Sequence, residues 1–218
     1  MRFETRAVHA GKGVDPTTGA VALPIHPSTT FEREPDGSYP RGHLYARNSN
    51  PTREALERCL AELESGVAAA AFGSGTAATT AIFQALRPGD HVIAPSDVYH
   101  GTARLLREHF APWGLQATFV DMTDAAQVAG ALQPNTRLVW IETPSNPMLR
   151  VTDLAAVVEI AGRAGVPHAG SATGSFPLLP GATAVPSSRR RLRAGLTRRD
   201  CIEFPFLGRE VAEAGGRR

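Results

Sequence analysis

The sequence predicts an α/β protein with three parts: an irregular amino-terminal arm, an incomplete domain on a mostly parallel sheet, and a basic tail of disorder-like composition. Two observations carry that prediction. Between positions 91 and 164, short apolar runs alternate with helical periodicities at a regular pitch, as in strands joined by covering helices. Near 166–171 the alternation stops, and Gly, Pro, Ser, Ala and Arg take over.

Taken in order, residues 1–44 are punctuated every few positions by Gly or Pro and are expected to be irregular, wrapping a neighbour rather than burying themselves. A helix then opens with Asn50 as cap and Pro51 at its first position. Leu56, Cys59, Leu60 and Leu63 recur at helical spacing, and Ser65-Gly66 ends it. The apolar run 67–72 reads as a strand leading into Gly73-Ser-Gly75 and an alanine-rich helix to Leu86. Strands are predicted at 91–94, 117–120 and 137–141, with helices near 101–110, 124–132 and 153–164. The resulting division is an arm at 1–50, a partial domain at 51–168 and a tail at 169–218.

Composition narrows the class. Hydrophobic residues make up 42% of the 218, enough for a core, and no run approaches the ~18 apolar residues of a membrane span. The first residues lack the apolar stretch of a secretory signal. Cys59 and Cys201 form no disulfide framework, so a reduced, cytoplasmic setting is expected. Residues 1–169 carry 14 Lys+Arg against 17 Asp+Glu, a balance of −3, whereas 170–218 carry 9 Arg against 4 acids, a balance of +5. All but one of the 23 basic residues are arginine, and the single lysine is Lys12.

Several short phrases carry chemistry. Gly73, Ser74 and Gly75 before a helix opening at Thr76 would aim bare N–H groups at an anion, with the helix dipole adding to the attraction. The same turn serves equally as a plain strand-to-helix junction. Tyr45 and Arg47 pair a phenol with a guanidinium fork suited to phosphate, although a loop arginine is commonly just solvated. Tyr99 follows a strand in the kind of loop where ligands collect in open α/β sheets, and its face suits a flat ring; a core aromatic at a helix start reads the same way. Glu142 through Pro147 follows another strand, its prolines leaving the Asn146 amide free to hydrogen-bond, or forming only a rigid turn. The seven histidines show no ligand spacing with either cysteine, so no metal site is expected. The arginines at 189–199 come without an aromatic platform, so nucleic acid is not an expected partner.

Four phrases in this order, Tyr45-Ala-Arg47-Asn-Ser-Asn-Pro51-Thr52, Phe72-Gly-Ser-Gly-Thr-Ala-Ala78, Asp97-Val-Tyr99-His-Gly-Thr102 and Glu142-Thr-Pro-Ser-Asn146-Pro147, resemble the Cys/Met-metabolism (transsulfuration) family of pyridoxal-phosphate enzymes. That family includes cystathionine γ-synthase and the cystathionine and methionine lyases. The resemblance covers roughly residues 3–168 and implies part of a PLP-transferase large domain of the aspartate aminotransferase type. It implies pyridoxal 5'-phosphate as cofactor, with Gly75 and Thr76 at its phosphate and Tyr99 over its ring. It further implies Asn146 at the ring hydroxyl, Glu142 as a loop support, and Tyr45 and Arg47 reaching the phosphate of a partner subunit's cofactor. A homo-oligomer or a full-length paralogue would be the partner, and a small amino acid the substrate.

The resemblance also implies residues this sequence lacks. The family's ring-nitrogen aspartate sits in an Asp-Asn-Thr phrase on the strand after the helix ending near Ala164, and its Schiff-base lysine follows in a Ser-Thr-Thr-Lys phrase. Neither phrase occurs, and Lys12 precedes every cofactor phrase. No catalytic residue is therefore assigned. The expectation is a truncated or frameshifted transsulfuration-type enzyme, inactive on its own. The alternative is a catalytically dead interaction protein that pairs with a full-length paralogue.

Overall fold

A computed structural model of the chain describes residues 3–64 and 66–171. Most of the tail expected at 169–218 lies outside the described residues. The chain forms two compact units, which divide between Gly73 and Ser74.

The first unit contains the arm and the first predicted helix. Within the stretch expected to be irregular, Phe3–His9 forms a helix, α1. Gly11, just beyond it, has φ +65°, and its backbone lies so close to the next helix that a Cβ would stand 2.6 Å from the Cys59 Cβ. Its N–H donates to the Glu62 carboxylate at 3.2 Å. No side chain fits there, so only glycine lets the arm cross so closely. Helix α2, Pro51–Glu64, begins where the sequence places it. The Asn50 carboxamide oxygen accepts the Thr52 N–H at 2.9 Å, and its NH₂ donates to the His26 carbonyl at 3.0 Å, so one side chain caps the helix and pins the arm. Residues 67–72 form no strand. Val67 and Phe72 stay exposed, and the Ala71 N–H donates to Glu57 of α2 instead of to a neighbouring strand.

The second unit is the predicted α/β sheet. Its strands β1 (His91–Pro95), β2 (Gln116–Val120), β3 (Thr136–Glu142) and β4 (His168–Ser171) are all parallel, in the order β2-β1-β3-β4. Helix α3 (Gly75–Gln84) precedes β1. Between β1 and β2 the predicted helix runs as α4 (His100–Arg104), a π-helical stretch (Leu105–Phe110) and a last turn α5 (Ala111–Trp113) that contains Pro112. Helices α6 (Ala125–Gly130) and α7 (Leu154–Ala164) complete the unit. Ser74, Asp124 and Asp153 cap α3, α6 and α7 with side-chain acceptors, and Gly165 closes α7 in the left-handed conformation.

Strand alternation sorts the core onto two faces. Val92, Ala94, Leu138, Trp140 and Ala169 pack with Phe83, Leu106 and Phe110 on one face. Ile93, Val139 and Ile141 pack with Val128, Val157 and Ala161 on the other. Burial of both faces explains why β1 reads as a continuous apolar run. β4 forms in the region where the sequence reading loses its periodicity. Small residues suffice there because β3 offers a complete backbone template, and the pairing of Val139 to Glu142 with His168 to Ser171 supplies what the Ala-Gly-Ser composition does not.

His91, at the amino end of β1, is buried with both ring nitrogens engaged, Nδ1 with Thr136 Oγ1 at 2.9 Å and Nε2 with Thr118 Oγ1 at 2.8 Å. Burial lowers its pKa from the usual 6.5, so the folded state keeps it neutral while the unfolded chain takes up a proton. Stability is therefore expected to fall as pH drops below 6.5, by up to about 1.4 kcal/mol per pH unit for this residue. Urea unfolding midpoints between pH 7.5 and 5 check this, and the slope should be shallower in His91→Gln.

Candidate functional site

In a parallel sheet the loops after the carboxyl ends of the strands share one edge, and ligands collect where the strand order reverses. Here β1 connects to β2 on one side, while β3 adds on the other, so the reversal lies between β1 and β3. The loop after β1 carries Asp97 and Tyr99, and the loop after β3 carries Ser145, Asn146 and Arg150.

Glu142, the last residue of β3, is 2% exposed. The Tyr99 N–H donates to both its carboxylate oxygens, at 3.2 and 3.1 Å, and the Asn146 N–H donates to Oε1 at 3.2 Å. Burial pushes its pKa above the usual carboxylate value; the two backbone donors pull it back, and Asp97 adds to the rise. A second bridge crosses the same gap. Ser145 Oγ donates to Asp97 at 2.6 Å and accepts the Arg150 N–H at 3.1 Å. The Arg150 guanidinium lies 3.9 Å from Asp97 and 3.3 Å from Asp121, which follows β2. Three strand ends are thus tied together beside the reversal.

Tyr99 is half-exposed, and its ring folds back over Gly101. A Cβ on Gly101 would stand 2.5 Å from Tyr99 Cε1, so the ring takes this place only because residue 101 has no side chain. Asn146 is partly buried, and its side-chain amide has no partner among the described residues. The peptide bonds Thr143–Pro144 and Asn146–Pro147 in its loop are both cis.

At the start of α3, Ser74 Oγ accepts the Ala77 N–H at 3.1 Å and Ser74 O accepts the Ala78 N–H at 3.1 Å. The N–H groups of Gly75 and Thr76 have no acceptor among the described residues, and both residues are exposed. A Cβ on Gly73 or Gly75 would meet nothing within 4 Å, so the turn stands open. Helix α3 packs through Ile82 and Phe83 on the same face of the sheet as Ala103 of α4, which begins just after Tyr99.

Tyr45 and Arg47 belong to the first unit and form a pair of their own, the Arg47 guanidinium 5.1 Å from the Tyr45 ring centroid. Both side chains are exposed. The turn under them is held by Arg53 of α2, which donates to the Ala46 and Asn48 carbonyls at 2.8 and 2.6 Å. Of the six residues singled out in the sequence, the structure joins Tyr99 and Asn146 through one carboxylate and sets Gly75 and Thr76 at the head of a helix in the same unit. Sequence reasoning missed the Asp97, Ser145, Arg150 and Asp121 bridge. A usable signal was there: acids two positions past β1 and one past β2, with a lone arginine in the loop after β3. Among the described residues, no group of three or more His, Cys, Asp or Glu is placed to hold a metal ion, and no helix is long and apolar enough to cross a membrane.

Residues 4–179 match the family described as Cys/Met metabolism PLP-dependent enzyme. The chain belongs to that family. A cystathionine gamma-synthase from Mycobacterium tuberculosis is 50% identical over 157 residues, which are 72% of this chain and 40% of that protein. A cystathionine beta-lyase from Coxiella burnetii is 47% identical over 162 residues, 73% of this chain and 41% of that protein. The solved cystathionine gamma-lyase of Lactobacillus plantarum, complexed with L-serine, aligns with a TM-score of 0.76 and 40% identity, over 81% of this chain and 46% of that one. The chain spans about 40% of the length of these two curated relatives.

The family's cofactor is pyridoxal 5'-phosphate, and the groups present suit part of it. Unpaired N–H groups at a helix start fit a phosphate, a half-exposed phenol face fits a pyridine ring, and an unpartnered carboxamide fits the ring's oxygen. They do not supply a covalent anchor. The only lysine is Lys12, in the first unit, and β4, where the ring-nitrogen acid was sought, reads His168-Ala-Gly-Ser171. Gly101→Ala is expected to displace the Tyr99 ring without unfolding the unit. The Tyr99 aromatic proton shifts, compared by NMR with those of Thr136 at the far end of the sheet, check this.

Proposed function

We propose that this chain is the cofactor-facing amino-terminal part of a transsulfuration-type enzyme, and that on its own it binds pyridoxal 5'-phosphate reversibly, with no covalent bond and no turnover of substrate. The observation that carries this is the joint anchoring of Tyr99 and Asn146 on Glu142, beside the open start of α3, in a chain whose one lysine is Lys12. In this reading the Gly75 and Thr76 N–H groups receive the phosphate, with the dipole of α3 behind them. Tyr99 lies over the ring, and the Asn146 amide donates to the ring's oxygen. The exposed Tyr45 and Arg47 pair reaches the phosphate of a cofactor held by a second subunit, as an arginine fork beside a phenol is suited to do.

The complete fold of such a protein carries out β- or γ-elimination or replacement on a sulfur amino acid or an O-acyl homoserine, in the cytoplasm. Bound pyridoxal phosphate supplies the electron sink for that chemistry. The residues described in this chain bind and orient it. Their one lysine, Lys12, precedes every cofactor phrase and in this reading does not anchor the aldehyde, so the proton transfers of turnover fall to other groups.

The test is to load the purified chain with stoichiometric pyridoxal 5'-phosphate and reduce one half with borohydride. Both halves are then dialysed and followed by absorbance and peptide mapping. The expected result is that the cofactor leaves both samples and no peptide carries it. Stoichiometric fixation at a single residue would show that an amine of this chain anchors the cofactor, and the account of an unanchored, inactive site would fall.

A further inference from the structure

The loops that carry Tyr99 and Asn146 follow different strands and are 47 positions apart in the chain, yet both end on one side chain. Glu142 is buried, and no cation lies within ion-pairing distance of it among the described residues. An ionised carboxylate in that setting is costly unless every oxygen is satisfied. Here both are, by backbone N–H groups alone: Oε2 faces Tyr99, and Oε1 serves Tyr99 and Asn146 together. A glutamine would keep one acceptor and turn its NH₂ toward one of these donors, and an apolar residue would leave both N–H groups without a partner. A side chain chosen only to fill the end of β3 would not carry that cost.

We infer that Glu142 is a positioning residue for the ring side of the site, fixing the Tyr99 ring and the Asn146 carboxamide relative to each other across the β1–β3 reversal. The inference rests on the functional reading above for what those two groups hold, but the coupling itself belongs to the fold. It assigns the phosphate side of the site, at Gly75 and Thr76, to a different support, because the α3 cap is closed by Ser74 and makes no hydrogen bond to Glu142. Loss of Glu142 should therefore loosen both loops at once and weaken binding of the ring, while binding of phosphate alone persists. A residue that merely supported stability would move every amide of the unit, or weaken phosphate and cofactor alike.

The experiment compares the full chain with Glu142→Gln and Glu142→Ala, by amide hydrogen exchange and by titration with pyridoxal 5'-phosphate and with inorganic phosphate. In Glu142→Ala the Tyr99 and Asn146 amides lose their shared acceptor and are expected to exchange together, about tenfold faster; in Glu142→Gln, whose uncharged oxygen accepts from both more weakly, both should accelerate together by a smaller factor. The Val92 and Val139 amides in the ladder should not change. Affinity for pyridoxal phosphate should fall by a similar factor, with phosphate binding unaltered. Unchanged exchange at Tyr99 and Asn146, or acceleration of only one, overturns the inference. So does equal weakening of both ligands. Coupled exchange in a chain that takes up no pyridoxal phosphate supports the positioning role and removes the functional reading instead. Should Glu142→Ala fail to fold, the glutamine variant carries the comparison alone.

Discussion

One buried carboxylate, Glu142, accepts from the backbone of two loops at the carboxyl edge of the sheet. Parallel strands bring their carboxyl ends to one edge but do not fix the loops beyond them, and loops that bind ligands must be held by something other than the sheet ladder. Glu142 does this from the end of β3, taking the backbone of the next turn of its own loop and of the loop after β1. A second tie lies a few residues on: buried Ser145 donates to the mostly buried Asp97, while the more exposed Arg150 makes ion pairs to Asp97 and Asp121 that water screens. The Glu142 tie joins the loops after β1 and β3, and the Arg150 ion pairs extend the connection to the end of β2.

Much of this was legible in the sequence because it rests on periodicity and local chemistry. Burial of both faces makes β1 an unbroken apolar run, and Asn50-Pro51 states where α2 begins before any packing is considered. Of the residues singled out for the site, the structure brings the backbone of Tyr99 and Asn146 to one carboxylate and sets Gly75 and Thr76 at the head of α3. Failures came where long-range contact decides. The run at 67–72 looked like a strand, yet a strand exists only with a partner, and Glu57 of α2 takes the Ala71 N–H instead. β4 looked like nothing, yet the free edge of β3 makes His168–Ser171 a strand. The arm's helix α1 was missed; the close approach of Gly11 to Cys59 of α2 just beyond it is a contact that no window of sequence contains.

Binding and orienting a flat, phosphorylated ring needs donors and a stacking face; the second unit carries N–H groups without an acceptor among the described residues at the start of α3 and a half-exposed Tyr99 ring. Catalysis on that ring needs an amine and an acid in addition. The short strand β4 lies beside β3 and reads His168-Ala-Gly-Ser171, with no acid.

The most direct test of where the cofactor sits is an NMR titration of the isotopically labelled chain with pyridoxal 5'-phosphate. The account predicts shifts concentrated at the amides of Gly75, Thr76, Tyr99 and Asn146, with His91 and Thr136 at the opposite edge of the sheet unmoved. Shifts centred on Lys12, or spread over the sheet without preference for its carboxyl edge, would contradict it.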